Sequence, residues 1–185
     1  MGQKGAETRD RLLDATQELV EVGGYFGAGL NQVVAVSGAP RGSLYFHFPG
    51  GKDQLVGESV RRGGRAIGDS LGALADSDVS AAELVAAILR YLGDRLEESD
   101  WRKGCPVATV ALETAATNDS LQAACSEVYT SWEDALRAGL ADRRDAEDLA
   151  VTILALIEGA LLLARVHRSR EPLTRVARQI AVWLH

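Results

Sequence analysis

The sequence predicts an all-α protein of about nine helices, with a small domain over residues 1–52 and a larger one over residues 53–185. Three observations predict this fold. Apolar side chains recur three and four positions apart along most of the chain, which is the spacing of one helix face. Glycine, proline and Asp-Ser clusters interrupt that pattern at the ends of each apolar run. No segment alternates apolar and polar residues as a half-buried strand does.

The first helix is predicted over residues 7–22. One face of this segment is apolar and includes Leu12, Leu13, Thr16, Leu19 and Val20. An apolar stripe of this kind packs a helix against a core. Gly23-Gly24 follows and is expected to end the helix, because glycine adopts backbone conformations that close a helix at little cost.

Residues 30–48 predict two short helices joined by a tight turn. Val33, Val34 and Val36 supply the apolar positions of the first. Gly38 suits the left-handed conformation that ends a helix, and Pro40 suits the first turn of the next, where its missing N–H costs nothing.

The second of these helices has an inward and an outward side. Leu44 and Phe48, four positions apart, are expected to face inward, and Pro49-Gly50-Gly51 is expected to stop the helix. This arrangement predicts a helix-turn-helix, whose second helix lies in the major groove of double-stranded DNA and whose first crosses the backbone. A plain helical hairpin is the alternative. The candidate DNA contacts are Asn31, Arg41, Gly42, Ser43, Tyr45, His47 and Lys52.

The rest of the chain also predicts helices. A helix over residues 54–75 ends at Asp76-Ser77-Asp78, and Ser80 with Glu83 forms a capping box for the next helix. A loop is expected over residues 99–106. Further helices are predicted over residues 107–117, 121–141, 146–168 and 173–184.

The first 60 or so residues resemble the TetR family of one-component transcriptional repressors. The resemblance rests on residues 8–15, on Gly24-Tyr25 and on the continuous stretch from Ser37 to Lys52. Residues 29–32 (Gly-Leu-Asn-Gln) and 49–52 (Pro-Gly-Gly-Lys) are similar to a subgroup of the LmrA/YxaF type, which controls drug-resistance and flavonoid-degradation genes. The resemblance implies a dimeric DNA-binding repressor that responds to a small molecule.

Two positions depart from the family pattern. Ala28-Gly29 stands where the family often has two hydroxyl residues, which removes a helix cap and one phosphate contact. Pro40-Arg41 stands where Ser-Lys is common. The planar guanidinium of Arg41 keeps the positive charge of lysine and can donate two hydrogen bonds to guanine O6 and N7, a geometry that the ammonium of lysine matches less closely.

The local distribution of charge fits a DNA partner better than the net charge of the whole chain does. The formal net charge is −6, yet the segment from Val22 to Lys52 carries no acidic residue and contains Arg41. Because DNA affinity depends on local phosphate neutralisation, a small face free of carboxylates can be sufficient.

The segment over residues 146–168 is apolar around most of its circumference, which requires burial on both sides. Together with the last helix it is expected to pack against the same pair of a second subunit; the core helix of a monomer is the alternative. A homodimer would present two recognition helices to an inverted repeat. The expected interface residues are Ile153, Ile157, Leu161, Ala164, His167, Val176, Ile180 and Trp183.

The larger domain is expected to bind a small apolar or aromatic inducer. Tyr129 and Trp132 each pair a large apolar surface with a hydrogen-bonding group, and a carboxylate in an apolar context must be paired, neutralised or bound to something. Ordinary core packing is the alternative for every one of these residues. The candidate ligand contacts are Ile88, Tyr91, Leu92, Val110, Glu113, Tyr129, Trp132 and Glu158.

The residue pattern offers little support for a catalytic site or a metal site. Cys105 and Cys125 are expected to be reduced and structural, with a thiol switch at Cys105 as the alternative. Neither has metal-ligand spacing, and no cofactor is expected.

Two other functions stay open, a DNA-binding repressor without an inducer and an all-α enzyme using Cys105 with His167. With no signal peptide and no membrane partner expected, we expect a cytoplasmic protein.

Overall fold

The computed structural model describes residues 3–75 and 80–184, with the side chains of residues 70–75 excepted. Within these ranges the chain is all-α and contains nine helices, which confirms the predicted fold class. The helices are α1 (Gln3–Gly27), α2 (Leu30–Ser37), α3 (Arg41–His47), α4 (Gly51–Ala75), α5 (Ala81–Glu98), α6 (Pro106–Thr114), α7 (Asp119–Ala138), α8 (Ala146–His167) and α9 (Glu171–Leu184).

Several helix ends differ from the prediction. α1 begins four residues earlier than expected, and it breaks at Gly24 (φ 65°, ψ −162°) before one last turn. α4 begins at Gly51, so the predicted stop and the next helix share this glycine. Pro40 lies at the N-cap of α3 with extended ψ, one position before the predicted first turn. The predicted break at residues 76–78 lies outside the described residues.

Helix caps explain two boundaries that the sequence predicted. Ser80 Oγ accepts the backbone N–H of Glu83, and the Glu83 carboxylate accepts the backbone N–H of Ser80. Gly38 adopts the left-handed conformation (φ 62°) and donates its N–H to the Val34 carbonyl, which ends α2. Both match the predicted capping box and turn.

The chain divides into two compact units, and each takes residues from two stretches. Unit 1 comprises residues 1–64 and 106–128, whereas unit 2 comprises residues 65–105 and 129–185. Unit 1 therefore adds α6 and the first half of α7 to the N-terminal helices. In unit 1, α1 packs against α2, α3 and α6.

Unit 2 is built around α5, α8 and α9, which contact one another. α8 buries Ile153, Leu154, Ile157 and Leu161 in this unit, and α9 contributes Leu173 and Ile180. Of the described helices, α8 alone is long and apolar enough to cross a membrane, a property that core helices of globular proteins share.

Candidate nucleic-acid interface

The core of unit 1 fixes the position of α3. Leu44 and Phe48, the two inward residues of this segment, are at most 1 % exposed, and they pack with Val33 of α2 and with Leu12 and Leu13 of α1. Because α3 has only seven residues, this packing rather than helix propensity holds it in place. Its other face is presented outward.

The outward face of α3 contains the side chains that the sequence selected. Arg41, Gly42 and Tyr45 are exposed, and Ser43 and His47 are half-buried. Nothing lies within 4 Å of a Cβ built on Gly42, so this turn of the helix is open to a close approach. The structure therefore brings the predicted residues of α3 together on one surface.

Phe46 belongs to the same surface and was missed by the sequence analysis. It is the most exposed large apolar side chain of the helix-turn-helix, at 75 %, and its ring lies edge-on to that of His47 at 5.0 Å. Phe46 is exposed because it lies half a helical turn from the buried Leu44 and Phe48 and so points to the opposite side of α3.

Asn31 connects α2 to the outward face of α3. Its Oδ1 accepts a hydrogen bond of 2.9 Å from Nη2 of Arg41. The guanidinium is thereby held beside α2, with its remaining N–H groups directed away from this bond. At the start of α2, Gly29 is the N-cap and offers no side-chain cap bond, as its departure from the family pattern predicts.

Lys52 stands apart from the other predicted contacts. It is half-buried, and its ammonium lies 4.2 Å from the centre of the Tyr25 ring. Burial lowers the pKa of Lys52, and the negative charges of Asp53 and Glu113 oppose that effect. The ammonium is therefore held in a defined position beside the Tyr25 ring at the start of α4.

Three arginines of α1 and α4 (Arg9, Arg61 and Arg62) are paired with carboxylates. Arg9 forms an ion pair with Glu58, and Arg62 forms one with Asp14 at 2.7 Å. The helix-turn-helix itself carries Arg41 without any acidic residue from Val22 to Lys52. The outward face of α3 thus presents Arg41 in a segment that has no carboxylate of its own.

Two family profiles match the chain. Residues 12–58 match the bacterial regulatory proteins of the tetR family, and residues 81–179 match the C-terminal domain of LmrA/YxaF-like transcriptional regulators. The chain belongs to the TetR family. It is a DNA-binding transcriptional regulator, and because the family is one of regulators, the alternative of an all-α enzyme using Cys105 is set aside.

Individual relatives agree with this assignment. The HTH-type transcriptional regulator LmrA of Bacillus subtilis is 34 % identical over 175 residues, covering 92 % of this chain and 93 % of LmrA. YxaF of the same organism is 32 % identical over 180 residues, covering 95 % and 94 %. A TetR regulator from Chloroflexus aurantiacus superposes with a TM-score of 0.83 at 26 % identity, covering 98 % of this chain and 96 % of that one.

The predicted ligand residues of this TetR-family regulator are divided between the two units. Val110 is fully buried in unit 1, and Glu113 of the same unit accepts the backbone N–H of Phe26. Glu113 is therefore an exposed contact of α1 in this structure, and its role toward a ligand stays a prediction. Its partner is a backbone amide 87 positions away, a contact without a sequence signature.

The remaining ligand candidates lie in unit 2. Ile88 is buried and Leu92 half-buried on α5. Tyr91 is 51 % exposed, with the guanidinium of Arg95 5.8 Å from its ring centre. Tyr91 is thus a surface residue of α5, not part of an apolar interior.

The other predicted ligand contacts in unit 2 are two aromatic residues, Tyr129 and Trp132, and the acidic residue Glu158. Trp132 is 5 % exposed, and its ring lies edge-on to that of Tyr129 at 5.6 Å. Glu158 is half-buried on α8. Burial raises the pKa of Glu158, and a hydrogen bond with the Cys105 side chain opposes that effect.

The expected dimer-interface residues are mostly inside the core of unit 2. Exposures of at most 7 % are found for Ile153, Ile157, Leu161, Ala164 and Ile180. These five residues pack within their own chain, which corrects the prediction that they face a second subunit. Of the other three, His167 and Trp183 are exposed and Val176 is half-buried.

A different face of α8 is open. Its exposed residues repeat every three or four positions and are Val151, Ala155, Gly159, Leu162 and Val166. Val182 of α9 is 70 % exposed as well. The sequence showed that α8 is apolar all round, but periodicity could not indicate which of its two apolar faces points inward.

The two cysteines are buried, and they belong to no cluster of metal ligands among the described residues. Cys105 and Cys125 are not joined by a disulfide, and both are buried. Burial raises the pKa of Cys125 to about 11, which keeps its thiol protonated at neutral pH. Among the described residues, no group of three or more His, Cys, Asp and Glu is placed to hold a metal ion.

Proposed function

We propose that this regulator is a homodimeric repressor that a small apolar or aromatic inducer releases from an inverted-repeat operator. The observation that carries the DNA-binding part is the outward face of α3, where Arg41 and Tyr45 are exposed in a segment without carboxylates. In this proposal Arg41, Gly42, Ser43, Tyr45, His47 and Lys52 contact the operator, and Asn31 supports Arg41.

Dimerisation is supported by the open face of α8. Its residues Val151, Leu162 and Val166 are at least 50 % exposed, and exposed apolar side chains that cluster on one face mark an interaction surface. His167 and Trp183, retained from the sequence prediction, extend this face. Two subunits are needed because one short recognition helix reads too few base pairs.

Inducer binding is assigned to unit 2. Trp132 and Tyr129 offer aromatic surface, and the desolvated carboxyl of Glu158 offers a polar anchor within an apolar helix. An inducer that weakens DNA binding must itself bind the DNA complex more weakly by the same factor. We expect the regulator to act in the cytoplasm, where its operator lies.

Selection of bound fragments from sheared genomic DNA of the source organism tests the DNA part. We expect at about 150 mM salt a few fragments that share an inverted repeat with half-sites about one helical turn apart. Recovery of fragments without a repeat would contradict the dimeric mechanism. Recovery of none, from a chain that is folded and dimeric, would contradict operator-specific binding.

A thermal-shift screen tests the inducer part with the same preparation. A panel of apolar and aromatic compounds is screened against the wild type and against the matched variants Trp132→Leu and Glu158→Gln. A compound that raises the melting temperature of the wild type, less that of the variants, and releases the operator supports the proposal. If no compound in a broad panel stabilises the protein, a repressor without an inducer becomes the better assignment.

A further inference from the structure

The C-terminal end of α1 is held by a residue of α6. Gly24 interrupts α1 with φ 65°, and the chain then directs the backbone N–H of Phe26 at Oε2 of Glu113, at 2.9 Å. Both residues belong to unit 1. The contact therefore fixes the segment that leads from α1 into α2.

Gly24 and Glu113 are closely fitted to each other. A Cβ on Gly24 would lie 2.6 Å from Oε1 and 2.8 Å from Oε2 of Glu113, and both distances are below any real contact of a Cβ. The missing side chain is what allows the carboxylate to reach the Phe26 amide, and the positive φ requires glycine independently.

A second set of contacts joins the same end of α1 to α4. Asp53 accepts the phenolic O–H of Tyr25 at Oδ1 (2.6 Å) and the side-chain N–H of Asn118 at Oδ2 (2.8 Å). Asn118 also caps α7, because its Oδ1 accepts the backbone N–H of Leu121. Asp53 thus links the end of α1, the start of α4 and the turn before α7.

Lys52 lies at the centre of this arrangement. Its ammonium contacts the face of the Tyr25 ring at 4.2 Å, and Asp53 and Glu113 are its nearby negative charges. The position of Lys52 therefore depends on the ring that Asp53 orients and on the carboxylate that α6 supplies.

We infer that Glu113 and Asn118 are positioning residues for DNA binding, although neither lies on the outward face of α3. Glu113 fixes the Phe26 amide and hence the segment preceding α2, whereas Asn118 fixes Asp53 and through it Tyr25 and Lys52. This role rests on the DNA binding of the family and requires no inducer.

The first test compares operator affinity in four variants by fluorescence anisotropy with a labelled duplex selected as above. The whole free energy of one hydrogen bond to a charged group sets the upper limit of the effect, so Glu113→Ala should weaken binding by more than twofold and up to about tenfold. Glu113→Gln keeps an acceptor oxygen and should recover most of this loss. Asn118→Ala should weaken binding similarly. Glu127→Gln, which removes the exposed ion pair with Arg61 in the same unit, is the matched control and should stay within twofold of wild type.

Asn118→Asp provides a pH profile that a purely structural role would not produce. It places a second carboxylate at hydrogen-bond distance from Asp53, and two carboxylates so close retain one proton between them at low pH. Tyr25, Lys52 and Glu113 are the other titratable groups at this site. Binding by Asn118→Asp should be weak at pH 7.5 and approach that of wild type as the pH falls, whereas Asn118→Ala should show no recovery.

Amide exchange tests the geometry without DNA. The chain has three phenylalanines, so ¹⁵N-phenylalanine labelling gives amide signals for Phe26, Phe46 and Phe48. Glu113→Ala should accelerate exchange at Phe26 by about tenfold and leave Phe48, which bonds to the Leu44 carbonyl, unchanged. The inference is overturned if Phe26 exchange is unaltered, or if Glu113→Ala and Asn118→Ala bind the duplex within twofold of wild type.

Discussion

Nη2 of Arg41 donates a hydrogen bond of 2.9 Å to Oδ1 of Asn31, so that a side chain of α2 supports the first residue of the recognition helix. An arginine that is held by a neighbour has fewer rotamers to lose when it binds. This relationship makes Arg41 the best candidate for reading a base directly, and it gives Asn31 a supporting role.

Substitutions at this pair should separate affinity from specificity. We expect Arg41→Ala to cost about 1–3 kcal/mol of operator binding if Arg41 pairs bidentately with a guanine. Arg41→Lys should restore the charge but not the discrimination, because lysine lacks the planar fork. Asn31→Ala should have a smaller effect in the same direction. Titrations against the selected operator and against duplexes with each guanine replaced would measure both quantities, and equal losses on all duplexes would exclude base reading.

Alanine at the two adjacent glycines of α1 should have opposite effects on stability. Nothing lies within 4 Å of a Cβ on Gly23, so Gly23→Ala gains helix propensity and should stabilise by up to about 1 kcal/mol. Gly24→Ala meets φ 65° with ψ −162°, a region that essentially only glycine occupies and that costs other residues on the order of 1–3 kcal/mol, and it collides with Glu113. Thermal melts of both variants would check this. Equal shifts would mean that the break in α1 is not fixed by Gly24.

Removing the charge of Glu158 should stabilise the protein in a pH-dependent way. Because burial raises the pKa of Glu158 above its usual 4.5, the folded state binds the proton more tightly, and stability falls as the pH rises through this interval. Glu158→Gln should therefore raise the melting temperature at pH 7, and each 1 kcal/mol gained corresponds to about 2–4 °C in a chain of this size. The gain should vanish below pH 4.5, where wild type carries a neutral carboxyl.

A charge on the open face of α8 should dissociate the dimer. Leu162 is 56 % exposed near the middle of that face, and Leu112 of α6 is 84 % exposed outside it. We expect Leu162→Asp to sediment as a monomer and to lose operator affinity steeply, whereas Leu112→Asp should remain dimeric. Sedimentation velocity measures both. A dimeric Leu162→Asp chain with normal DNA binding would place the interface elsewhere.

The sequence predicted best where a local chemical rule decides the structure. The turn at Gly38, the capping box of Ser80 and Glu83, and the inward pair Leu44 and Phe48 all follow from contacts within a few residues. These rules were enough to place the outward face of α3. Phe46 was within reach of the same count and was overlooked.

Contacts between distant segments were not predictable in this way. Glu113 bonds to a backbone amide, and Lys52 packs on a ring, so neither contact has a partner recognisable from residue types. On α8 the apolar pattern is nearly continuous, and only the packing against α5 and α9 shows that Ile157 faces inward and Leu162 outward.

The composition of unit 1 bears on how modular this regulator is. α1 shares its apolar surface with α6, where Val107 and Val110 are fully buried, and Thr109 Oγ1 donates a hydrogen bond of 2.8 Å to the Val20 carbonyl. A fragment cut after residue 52 or 64 would lose these partners and expose the back of α1 to water. Chimaeric regulators that exchange DNA specificity between relatives should therefore transplant α6 along with the N-terminal helices, since the unit that contains the helix-turn-helix also includes residues 106–128.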